Sequence, residues 1–458
     1  MHKRIRHIHF VGIGGAGMSG IAELLLNIGY KVSGSDLKQS KITDRLQALG
    51  ATIMIGHKPL NAKDAHVVVY SSAVKPDNPE LVYAREHNIP VIPRAEMLAE
   101  LMRVKYAIAI AGSHGKTTTT SLVSIVLATA GLDPTSIVGG KVNIFDSNAK
   151  LGQSEYLVAE ADESDGSFLK LTPTIAIVTN IDPEHLDYYV TFEKEKDAFV
   201  EFINKVPFYG LAILCLDEEN VASIIPRVKV RRMTYGLSAQ ADVHGYNIVQ
   251  KKGESEFSVN VKGKHYGNFT IHMPGLHNVY NALASIAAGV ELELEPEKIK
   301  EGIDKFNGVE RRFQIKANIN DIMVVDDYGH HPKEIKATLS GAKGSWNKRL
   351  IVVFQPHRYT RTKLLFNDFL TAFYQADVLI ITDIYSAGED PIEGVSAYNL
   401  YTAMKNMGYK DVRYISDKNK IVEELINIVA PGDMVITQGA GDVYTVGDLF
   451  IKRLKEHV

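Results

Sequence analysis

Cysteine is almost absent from this chain: Cys215 is the only one in 458 residues. A single cysteine excludes an internal disulfide and any metal site built from several thiolates. It also fits a reducing compartment, so we expect a cytoplasmic protein. Cys215 lies in the apolar run GLAILCLD, where we expect a small buried side chain without a chemical role.

Long hydrophobic runs are also missing. No stretch approaches the roughly 20 apolar residues that a membrane-spanning helix needs, so we expect no membrane insertion. The start, MHKRIRHIHFVGIGGAG, is basic, but its apolar run soon meets glycines and no small-residue cleavage site follows, which argues against a signal peptide. The formal net charge of -3 gives no general attraction to nucleic acid, and we expect no nucleic-acid partner.

The composition, 45% hydrophobic and 23% charged, is that of a globular protein with large cores. Short apolar runs alternate with amphipathic segments, beginning with HIHFVGI (strand), MSGIAELLLNIG (helix) and YKVSGSD (strand). This alternation predicts βαβ units and parallel sheets. Between Ala241 and Pro274 the segments shorten, as in FSVNVKG and NFTIHMPG, which predicts antiparallel hairpins added to the core.

We therefore predict an α/β protein of three domains in series. Residues 1–103 form a Rossmann-like domain, and residues 104–308 form a central domain of the phosphate-loop type that carries the antiparallel strands. Residues 309–458 form a second Rossmann-like domain, with strands such as IMVVDDYG, RLIVVFQP and MVITQGAG but no glycine fingerprint.

A first glycine-rich loop, GIGGAG, follows the first strand and opens the first helix. Gly12, Gly14 and Gly17 match the G-x-G-x-x-G pattern, in which the backbone approaches a diphosphate at a helix N-terminus. Asp36 ends the next strand, where an acidic residue often binds a ribose hydroxyl. The pattern predicts a bound diphosphate, and both NAD and a UDP-sugar would satisfy it.

A second loop, AGSHGKTTTT, has the G-K-T of a phosphate loop but not its first glycine, since position 110 is Ile110. The remaining pattern keeps the chemistry of that loop. Lys116 can reach the β- and γ-phosphates, and the Thr117 hydroxyl can ligate Mg²⁺. The sequence therefore predicts a nucleoside triphosphate here.

Acidic side chains follow two further strands and would lie at the same sheet edge as this loop. The segments EADESDGSF and NIDPEHLDYY supply Glu160, Asp162, Glu163, Asp165, Asp182, Glu184, His185 and Asp187. Carboxylates with a neutral imidazole can hold Mg²⁺ or Mn²⁺. We expect some of them to bind the metal of the nucleotide.

The third domain contributes arginines and histidines at predicted strand ends. The segments GVERRFQ, VVDDYGHHP and FQPHRYTRT supply Arg311, Arg312, Asp326, Asp327, His330, His331, His357, Arg358 and Arg361. Arginine suits the recognition of phosphate and carboxylate. The segment GHHPKE lacks the H-x-x-x-H spacing of a helical zinc site, so we predict no zinc.

Taken together and in order, GIGGAGMSG, GSHGKTTTT, EADESDGSF, NIDPEHLDYY, HNVYNALA, GVERRFQ, DDYGHHPKEI and FQPHRYTRT resemble the Mur ligase family over nearly the whole chain. The resemblance implies a UDP-sugar domain, a central ATPase and a C-terminal domain that closes over ATP and an amino acid. It is greatest for the branch that uses ATP to join L-alanine to the lactyl carboxylate of UDP-N-acetylmuramate through an acyl phosphate.

The resemblance also implies roles for individual residues. ATP would contact Gly112, Ser113, His114, Gly115, Lys116, Thr117, Thr118, His277, Asn278, Asn281, Arg312 and Asp327. The metal would be held by Thr117, Glu163 and His185, and the catalytic group would comprise Lys116, Glu163, His185, Arg312 and His330. The UDP-sugar would lie along Gly14, Gly15, Ala16, Gly17, Asp36 and Ser71, and L-alanine along His330, Arg358 and Arg361.

Some relatives in this superfamily carry a carbamylated lysine that supports a second metal. Phe199 occupies that place here, so we predict no carbamylated lysine. Two alternative functions stay open at this point: a recycling ligase that attaches an intact murein tripeptide, and an NAD-binding regulatory protein with an ATP switch. We expect a monomer or a homodimer.

Overall fold

A computed structural model of the chain describes residues 5–71, 73–103, 105–142 and 147–456. Its residues form two compact units. The first comprises Met1–Asn247, Ser258–Phe269 and Tyr280–Asn307, and the second comprises Ile248–Phe257, Thr270–Val279 and Gly308–Val458. In the described residues, three sheets alternate with helices along the chain, as the sequence predicts for an α/β protein. Across these residues, no helix is both long enough and apolar enough to span a membrane.

The first sheet is parallel and has the order β3-β2-β1-β4-β5. Its strands are β1 (His7–Val11), β2 (Lys31–Asp36), β3 (Thr52–Ile55), β4 (Val67–Tyr70) and β5 (Val91–Pro93). The helices between and after them are α1 (Ala16–Asn27), α2 (Lys41–Ala48), α3 (Pro79–Glu86) and α4 (Arg94–Met102). The strand order reverses beside β1, so the first glycine loop lies at a switch point, where α/β sheets bind ligands.

A buried polar network lies within this first sheet layer, around the fully buried Glu80 of α3. Glu80 Oε2 accepts hydrogen bonds from His9 Nε2 (3.0 Å) and Ser35 Oγ (2.7 Å). Its Oε1 accepts from the Asn61 amide (2.7 Å) and the Lys58 backbone N–H (3.1 Å). Desolvation alone would raise the pKa of Glu80, but these bonds outweigh it and hold the pKa below its usual value.

The network extends from Glu80 through His9 to Ser33 and His7. The Asp64 carbonyl lies 2.9 Å from His7 Nδ1, so that nitrogen donates, and the other His7 nitrogen accepts from Ser33 Oγ at 2.7 Å. Ser33 Oγ in turn lies 2.8 Å from His9 Nδ1. One chain of hydrogen bonds thus runs from His7 through Ser33 and His9 to Glu80.

Replacement of Glu80 by glutamine should destabilise the first unit. The change replaces the buried carboxylate that accepts four hydrogen bonds by a neutral amide, and we expect the free energy of unfolding at pH 7 to fall by about 1–3 kcal/mol. A carboxyl with a lowered folded pKa stabilises above its unfolded pKa, and this stabilisation is lost as the pH falls through the folded value. The deficit of the variant should therefore shrink below about pH 4.5.

Urea unfolding between pH 3 and 8 would measure this, with Glu86→Gln as the control. Glu86 lies on the same helix, α3, but is exposed. Equal unfolding midpoints for the Glu80 and Glu86 variants at pH 7 would contradict the stabilising role of the network.

The second sheet has the order β15-β14-β13-β12-β11-β10-β6-β9-β7-β8. Its strands are β6 (Tyr106–Ala111), β7 (Thr135–Val142), β8 (Ser147–Lys150), β9 (Tyr156–Glu160), β10 (Ile175–Val178), β11 (Leu211–Cys215), β12 (Arg232–Gly236), β13 (Val243–Lys251), β14 (Glu254–Val261) and β15 (Lys264–Ile271). Its helices are α5 (Lys116–Thr129), α6 (Leu186–Tyr189), α7 (Phe192–Ile203), α8 (Glu219–Ile224), α9 (Leu276–Glu291) and α10 (Pro296–Asp304). Strand β6 pairs in parallel with β9 and β10, so the second glycine loop, the segments after these two strands and α5 share one sheet edge.

The antiparallel additions are hairpins made by two-residue turns. Lys252 and Gly253 join β13 to β14, and Lys262 and Gly263 join β14 to β15. All four residues have positive φ, the geometry of type I′ turns, whose twist matches that of the flanking strands. Such short connections can join only antiparallel neighbours.

The third sheet has the order β16-β17-β21-β18-β19-β20, parallel except for the antiparallel pair β16 and β17. Its strands are β16 (Gln314–Ile319), β17 (Ile322–Asp327), β18 (Arg349–Phe354), β19 (Val378–Ile381), β20 (Val412–Tyr414) and β21 (Asp433–Gln438). Its helices are α11 (Pro332–Ser345), α12 (Tyr359–Leu364), α13 (Phe366–Phe369), α14 (Ala397–Asn406), α15 (Lys418–Ile428) and α16 (Tyr444–Glu456).

The segment KLLFNDFLTAFYQA is less regular than the single helix that the sequence predicts. It contains the end of α12 and the four-residue α13, and turns follow. Leu365, Phe369 and Phe373 are buried at four-residue spacing. The apolar positions thus keep helical periodicity, while the backbone at Leu365 leaves the helical range (φ -102, ψ 18).

Candidate active site

The second glycine loop turns β6 into α5 at Gly115. Gly115 is in the left-handed conformation (φ 81), and a Cβ atom there would lie 2.7 Å from Asn281 Oδ1. Asn281 Oδ1 accepts from Thr119 Oγ1 at 3.1 Å. The loop therefore needs glycine for two reasons, its backbone conformation and the close approach of Asn281.

Part of the loop backbone is already engaged within the protein. Ser113 N–H donates to the Asn180 carbonyl (3.2 Å), and His114 N–H donates to Asn180 Oδ1 (2.8 Å). His114 Nε2 also lies 3.1 Å from Asp182 Oδ2. The segment after β10 thus supports this loop, and the first turn of α5, with Lys116, Thr117 and Thr118, offers the remaining amide groups.

Lys116 lies at the start of α5 and folds towards the loop. Its Nζ donates to the Gly112 carbonyl (2.5 Å) and to Glu163 Oε1 (2.8 Å). Desolvation alone would lower the pKa of Lys116, but the carboxylates of Glu163 and Asp162 outweigh it, and the pKa is raised. Lys116 is therefore a fixed positive charge beside the loop.

Glu163 follows β9 and is only 1% exposed. Burial raises its pKa to about 7, against the opposing pull of Lys116. Its Oε2 is buried and makes no hydrogen bond. A buried carboxylate with an unused oxygen beside a phosphate loop is suited to a cation.

His185 and Glu184 complete a candidate metal site with Glu163. One ligand atom from each of the three residues lies within 4.8 Å of the others. His185 has positive φ (55), a conformation that a non-glycine residue adopts only where the surroundings hold it. The sequence named all three among its candidate metal ligands, and the structure brings them together; their role towards a metal stays a prediction.

Glu195, on α7, is a fully buried acidic residue that the sequence did not single out. Burial raises its pKa to about 9, and the nearby carboxylates of Glu163 and Glu184 add to the effect. A carboxyl group with a pKa of about 9 keeps its proton at neutral pH, so Glu195 adds no negative charge beside Glu163 and Glu184.

The first glycine loop is closed onto the end of β2. Gly12 N–H (2.9 Å) and Ile13 N–H (3.0 Å) both donate to the Ser35 carbonyl. Gly14 N–H donates to Asp36 Oδ2 at 2.8 Å. Asp36 therefore holds the loop itself, and its role towards a ribose stays a prediction.

The remaining predicted UDP-sugar residues lie around this loop. Gly15 is the N-cap of α1, Ala16 is its first residue, and Gly17 follows in the first turn. Ser71 lies directly after β4, and its backbone N–H donates to the Val11 carbonyl at 3.4 Å. The structure thus collects these residues at the carboxyl ends of β1 and β4.

Arg94 is a basic residue beside this loop that the sequence did not single out. It begins α4 directly after β5, and its guanidinium lies against Gly17. Arg94 Nη2 pairs with Asp162 Oδ2 at 3.1 Å. A cation immediately after a parallel strand is the signal that could have identified it.

The second unit holds the other predicted residues, beginning with Asp327 at the end of β17. Asp327 Oδ2 accepts from Phe313 N–H (2.8 Å), and Oδ1 accepts from Gly329 N–H (2.9 Å) and Gln438 Nε2 (2.6 Å). Thr338 Oγ1 also donates to Oδ1 (3.1 Å). Asp327 is therefore a structural centre that joins β17, α11 and β21.

Glu334, in the first turn of α11, connects Arg312 with His330. Arg312 Nη1 lies 3.6 Å from Glu334 Oε1, and His330 N–H donates to Glu334 Oε2 at 3.0 Å. His277 is near this group: burial lowers its pKa, and Arg312 adds to the effect. Asn278 Nδ2 donates to the Pro274 carbonyl at 2.8 Å. The sequence did not single out Glu334, although it occupies the last position of a capping box.

His357, Arg358 and Arg361 follow β18. Arg358 has positive φ (71) and forms an ion pair with Glu389 at 2.5 Å. Arg361 Nη1 lies 3.2 Å from His357 Nδ1. Burial lowers the pKa of His357 to about 4, with help from both arginines, and its ring lies 5.6 Å from that of His330. The result is a cationic group with a neutral imidazole, suited to a carboxylate.

The comparison with protein families defines the class of this protein. Three descriptions match in series: the Mur ligase family catalytic domain (residues 7–106), the Mur ligase middle domain (residues 110–289) and the Mur ligase glutamate ligase domain (residues 311–441). The chain belongs to the Mur ligase family, and it is a ligase with the three-domain α/β architecture of that family.

Within this family, the chain is similar to individual ligases along its full length. The chain is 60% identical over 456 residues to the UDP-N-acetylmuramate–L-alanine ligase of Geotalea daltonii, with 100% of both chains covered. It is 59% identical to the enzyme of the same name from Geobacter sulfurreducens, covering 100% of this chain and 99% of the relative. Among solved structures it is similar to the UDP-N-acetylmuramate–alanine ligase of Thermotoga maritima, with a TM-score of 0.84, 29% identity, and 99% and 100% coverage.

A second solved structure, a murein peptide ligase of Psychrobacter arcticus, shares the fold with a TM-score of 0.71. It is 24% identical and covers 98% of each chain.

Proposed function

We propose that this chain joins L-alanine to the lactyl carboxylate of UDP-N-acetylmuramate at the expense of ATP, as a step of peptidoglycan synthesis in the cytoplasm. The 60% identity over the full length to a UDP-N-acetylmuramate–L-alanine ligase carries the proposal. The two glycine loops and the cluster of Lys116 with Glu163 and His185 are consistent with it, since the reaction needs one site for a UDP carrier and another for ATP.

We divide this function among three domains. Residues 1–103 would hold UDP-N-acetylmuramate along Gly14 to Gly17, with Ser71 nearby. Residues 104–308 would bind ATP through the second loop. Residues 309–458 would complete the nucleotide site with Arg312 and Asp327, and would receive L-alanine.

The chemistry explains why ATP is needed. A carboxylate does not condense with an amine in water, because its oxygen is a poor leaving group. Attack of the lactyl carboxylate oxygen on the γ-phosphorus of ATP forms an acyl phosphate and releases ADP. The α-amine of L-alanine then attacks the acyl carbon, and the tetrahedral intermediate expels inorganic phosphate as the amine loses its proton.

The first step brings two anions together, so positive charge must be in place before it. Lys116 would neutralise the transferring phosphoryl group at the loop, and Arg312 would add a second cation. Glu163, Glu184, His185 and Thr117 would hold Mg²⁺ or Mn²⁺, which supplies electrostatic stabilisation of phosphate charge when bound. The fit rests on the unused Oε2 of Glu163 and on the close grouping of three ligand atoms.

The second step needs an oriented amine and a dry site. His330, Arg358 and Arg361 would bind L-alanine, with the arginines on its carboxylate. The acyl phosphate hydrolyses readily, so exclusion of water is part of the task. Movement of the C-terminal domain over the site would serve this purpose.

Replacement of Arg361 by alanine should raise the KM for L-alanine at least about tenfold, because a charge-assisted bond to the carboxylate is lost. Arg358→Ala should have a smaller effect, because Glu389 already balances the charge of Arg358. Steady-state kinetics with each substrate varied in turn would give the KM for L-alanine and for ATP in both variants. Arg453→Ala, at an exposed position of α16, is the control. A change confined to the KM for ATP would contradict the assignment of Arg361.

One experiment tests the proposed function directly: release of phosphate from ATP in the presence of UDP-N-acetylmuramate and one acceptor at a time. The acceptors are L-alanine, glycine, L-serine and the murein tripeptide. Release that is fastest with L-alanine would support the proposal. Release only with the tripeptide would assign the chain to peptide recycling, and binding of NAD without binding of the UDP-sugar would overturn the proposal.

A further inference from the structure

We propose that Arg94 is a binding residue for an oxyanion of the UDP-sugar that the first glycine loop holds. The inference rests on the proposed function and deepens it, because it adds a cationic side chain to a site for which the sequence predicted none. The anion is either the diphosphate or the lactyl carboxylate, which share the oxygen chemistry that a guanidinium recognises.

Arg94 lies at the edge of the first sheet where the ligand is expected. It is the first residue of α4 and follows β5 directly, so it lies at the carboxyl edge of the first sheet together with the glycine loop. Its side chain is 29% exposed. A guanidinium that is partly exposed at this edge can contact a ligand without a rearrangement of the core.

Gly17 leaves room for this guanidinium beside the loop. A Cβ atom at position 17 would overlap the guanidinium of Arg94. Gly17 lies in α1 outside the positive-φ residues, so the backbone conformation alone does not require glycine there. The third glycine of the pattern therefore makes room for a cation at the loop, whereas the sequence pattern predicts close packing of helix on strand.

Asp162 leaves Arg94 available to a ligand. It is the counter-ion of Arg94 at 3.1 Å, and its side chain is 42% exposed. An ion pair this open is weak, so an anionic ligand can compete for the arginine at little cost. Asp162 directly precedes Glu163, the partner of Lys116. The Arg94 side chain therefore extends from the first loop towards Lys116 and Glu163. The UDP-sugar must extend in that direction for its carboxylate to meet the γ-phosphate.

The test measures binding by calorimetry to three probes: UDP, UDP-N-acetylglucosamine and UDP-N-acetylmuramate. The second probe has the diphosphate and a sugar but lacks the lactyl carboxylate. The proteins are the wild type, Arg94→Ala, Arg94→Lys and the control Arg103→Ala. Arg103 ends the same helix, α4, and its side chain is 64% exposed in a pair with Glu100.

We expect Arg94→Ala to bind UDP-N-acetylmuramate at least about tenfold more weakly than the wild type. Arg94→Lys should fall between the two, because lysine keeps the charge but not the fork of donors. An equal loss with all three probes identifies the diphosphate as the anion. A loss confined to UDP-N-acetylmuramate identifies the lactyl carboxylate.

Wild-type affinity in Arg94→Ala, or the same loss in Arg103→Ala, would overturn the inference. Binding of an ATP analogue and the thermal unfolding temperature show whether each variant is folded, and Arg94→Lys decides the question if the alanine variant is not. Failure of the wild type to bind UDP-N-acetylmuramate would count against the proposed function instead. The two failures are therefore distinguishable.

Discussion

Alanine in place of Lys116 should abolish the release of phosphate from ATP while UDP-N-acetylmuramate still binds. Lys116 is the cation beside the loop, and loss of one preorganised charge at a developing phosphoryl anion costs at least about 10³-fold in kcat. The variant should remain folded, because Glu163, whose pKa is already about 7, can take up a proton when its partner is lost.

A phosphate-release assay and calorimetric binding of the UDP-sugar would test this prediction. Lys170→Ala is the matched control, since Lys170 is a half-exposed lysine that pairs with Glu96. Turnover within tenfold of the wild type in Lys116→Ala would remove Lys116 from the catalytic group. Loss of UDP-sugar binding together with turnover would indicate a general structural defect.

Glutamine in place of Glu163 should raise the Mg²⁺ concentration needed for half-maximal rate at least about tenfold, because a charged ligand is replaced by a neutral one. His185→Ala should have the same direction of effect. In the wild type the Mg²⁺ requirement should also rise as the pH falls through about 7, since a carboxylate must lose its proton to bind a metal. This pH dependence should be weaker in Glu163→Gln, in which His185 is the ligand that still has to lose a proton.

Rates measured over a series of Mg²⁺ concentrations between pH 6 and 8.5 would give both results. Glu193→Gln, at a 75% exposed position of α7, is the control. An unchanged Mg²⁺ requirement in both Glu163→Gln and His185→Ala would exclude these residues from the metal site.

Local sequence pattern was sufficient for the main features of the fold. Strand-then-glycine segments predicted the two loops, and α1 and α5 begin directly after them. Acidic segments after β9 and β10 predicted Glu163 and His185 on one edge, because the carboxyl ends of parallel strands meet there. The chemical roles of these residues stay predictions.

The residues that sequence reasoning missed act through tertiary contacts. Arg94 reads as the start of an ordinary amphipathic helix until its contact with Gly17 is known. Glu195 reads as a surface acid in FEKEKDAF, yet it is fully buried beside other carboxyl groups. Glu334 reads as a helix cap, and only the fold brings Arg312 to it. In each case the decisive neighbour is distant in the sequence.

The network around Glu80 has a consequence for which substitutions this protein can tolerate. At an apolar core position, another hydrophobic side chain of similar volume usually preserves the fold. The positions of His9, Ser35 and Glu80 differ from such apolar positions. A replacement side chain there must match the volume and also supply the same hydrogen-bond donors and acceptors. A mutational scan of the first domain should therefore find Ile8 and Phe10 permissive to aliphatic exchange, and the polar positions between and opposite them nearly invariant.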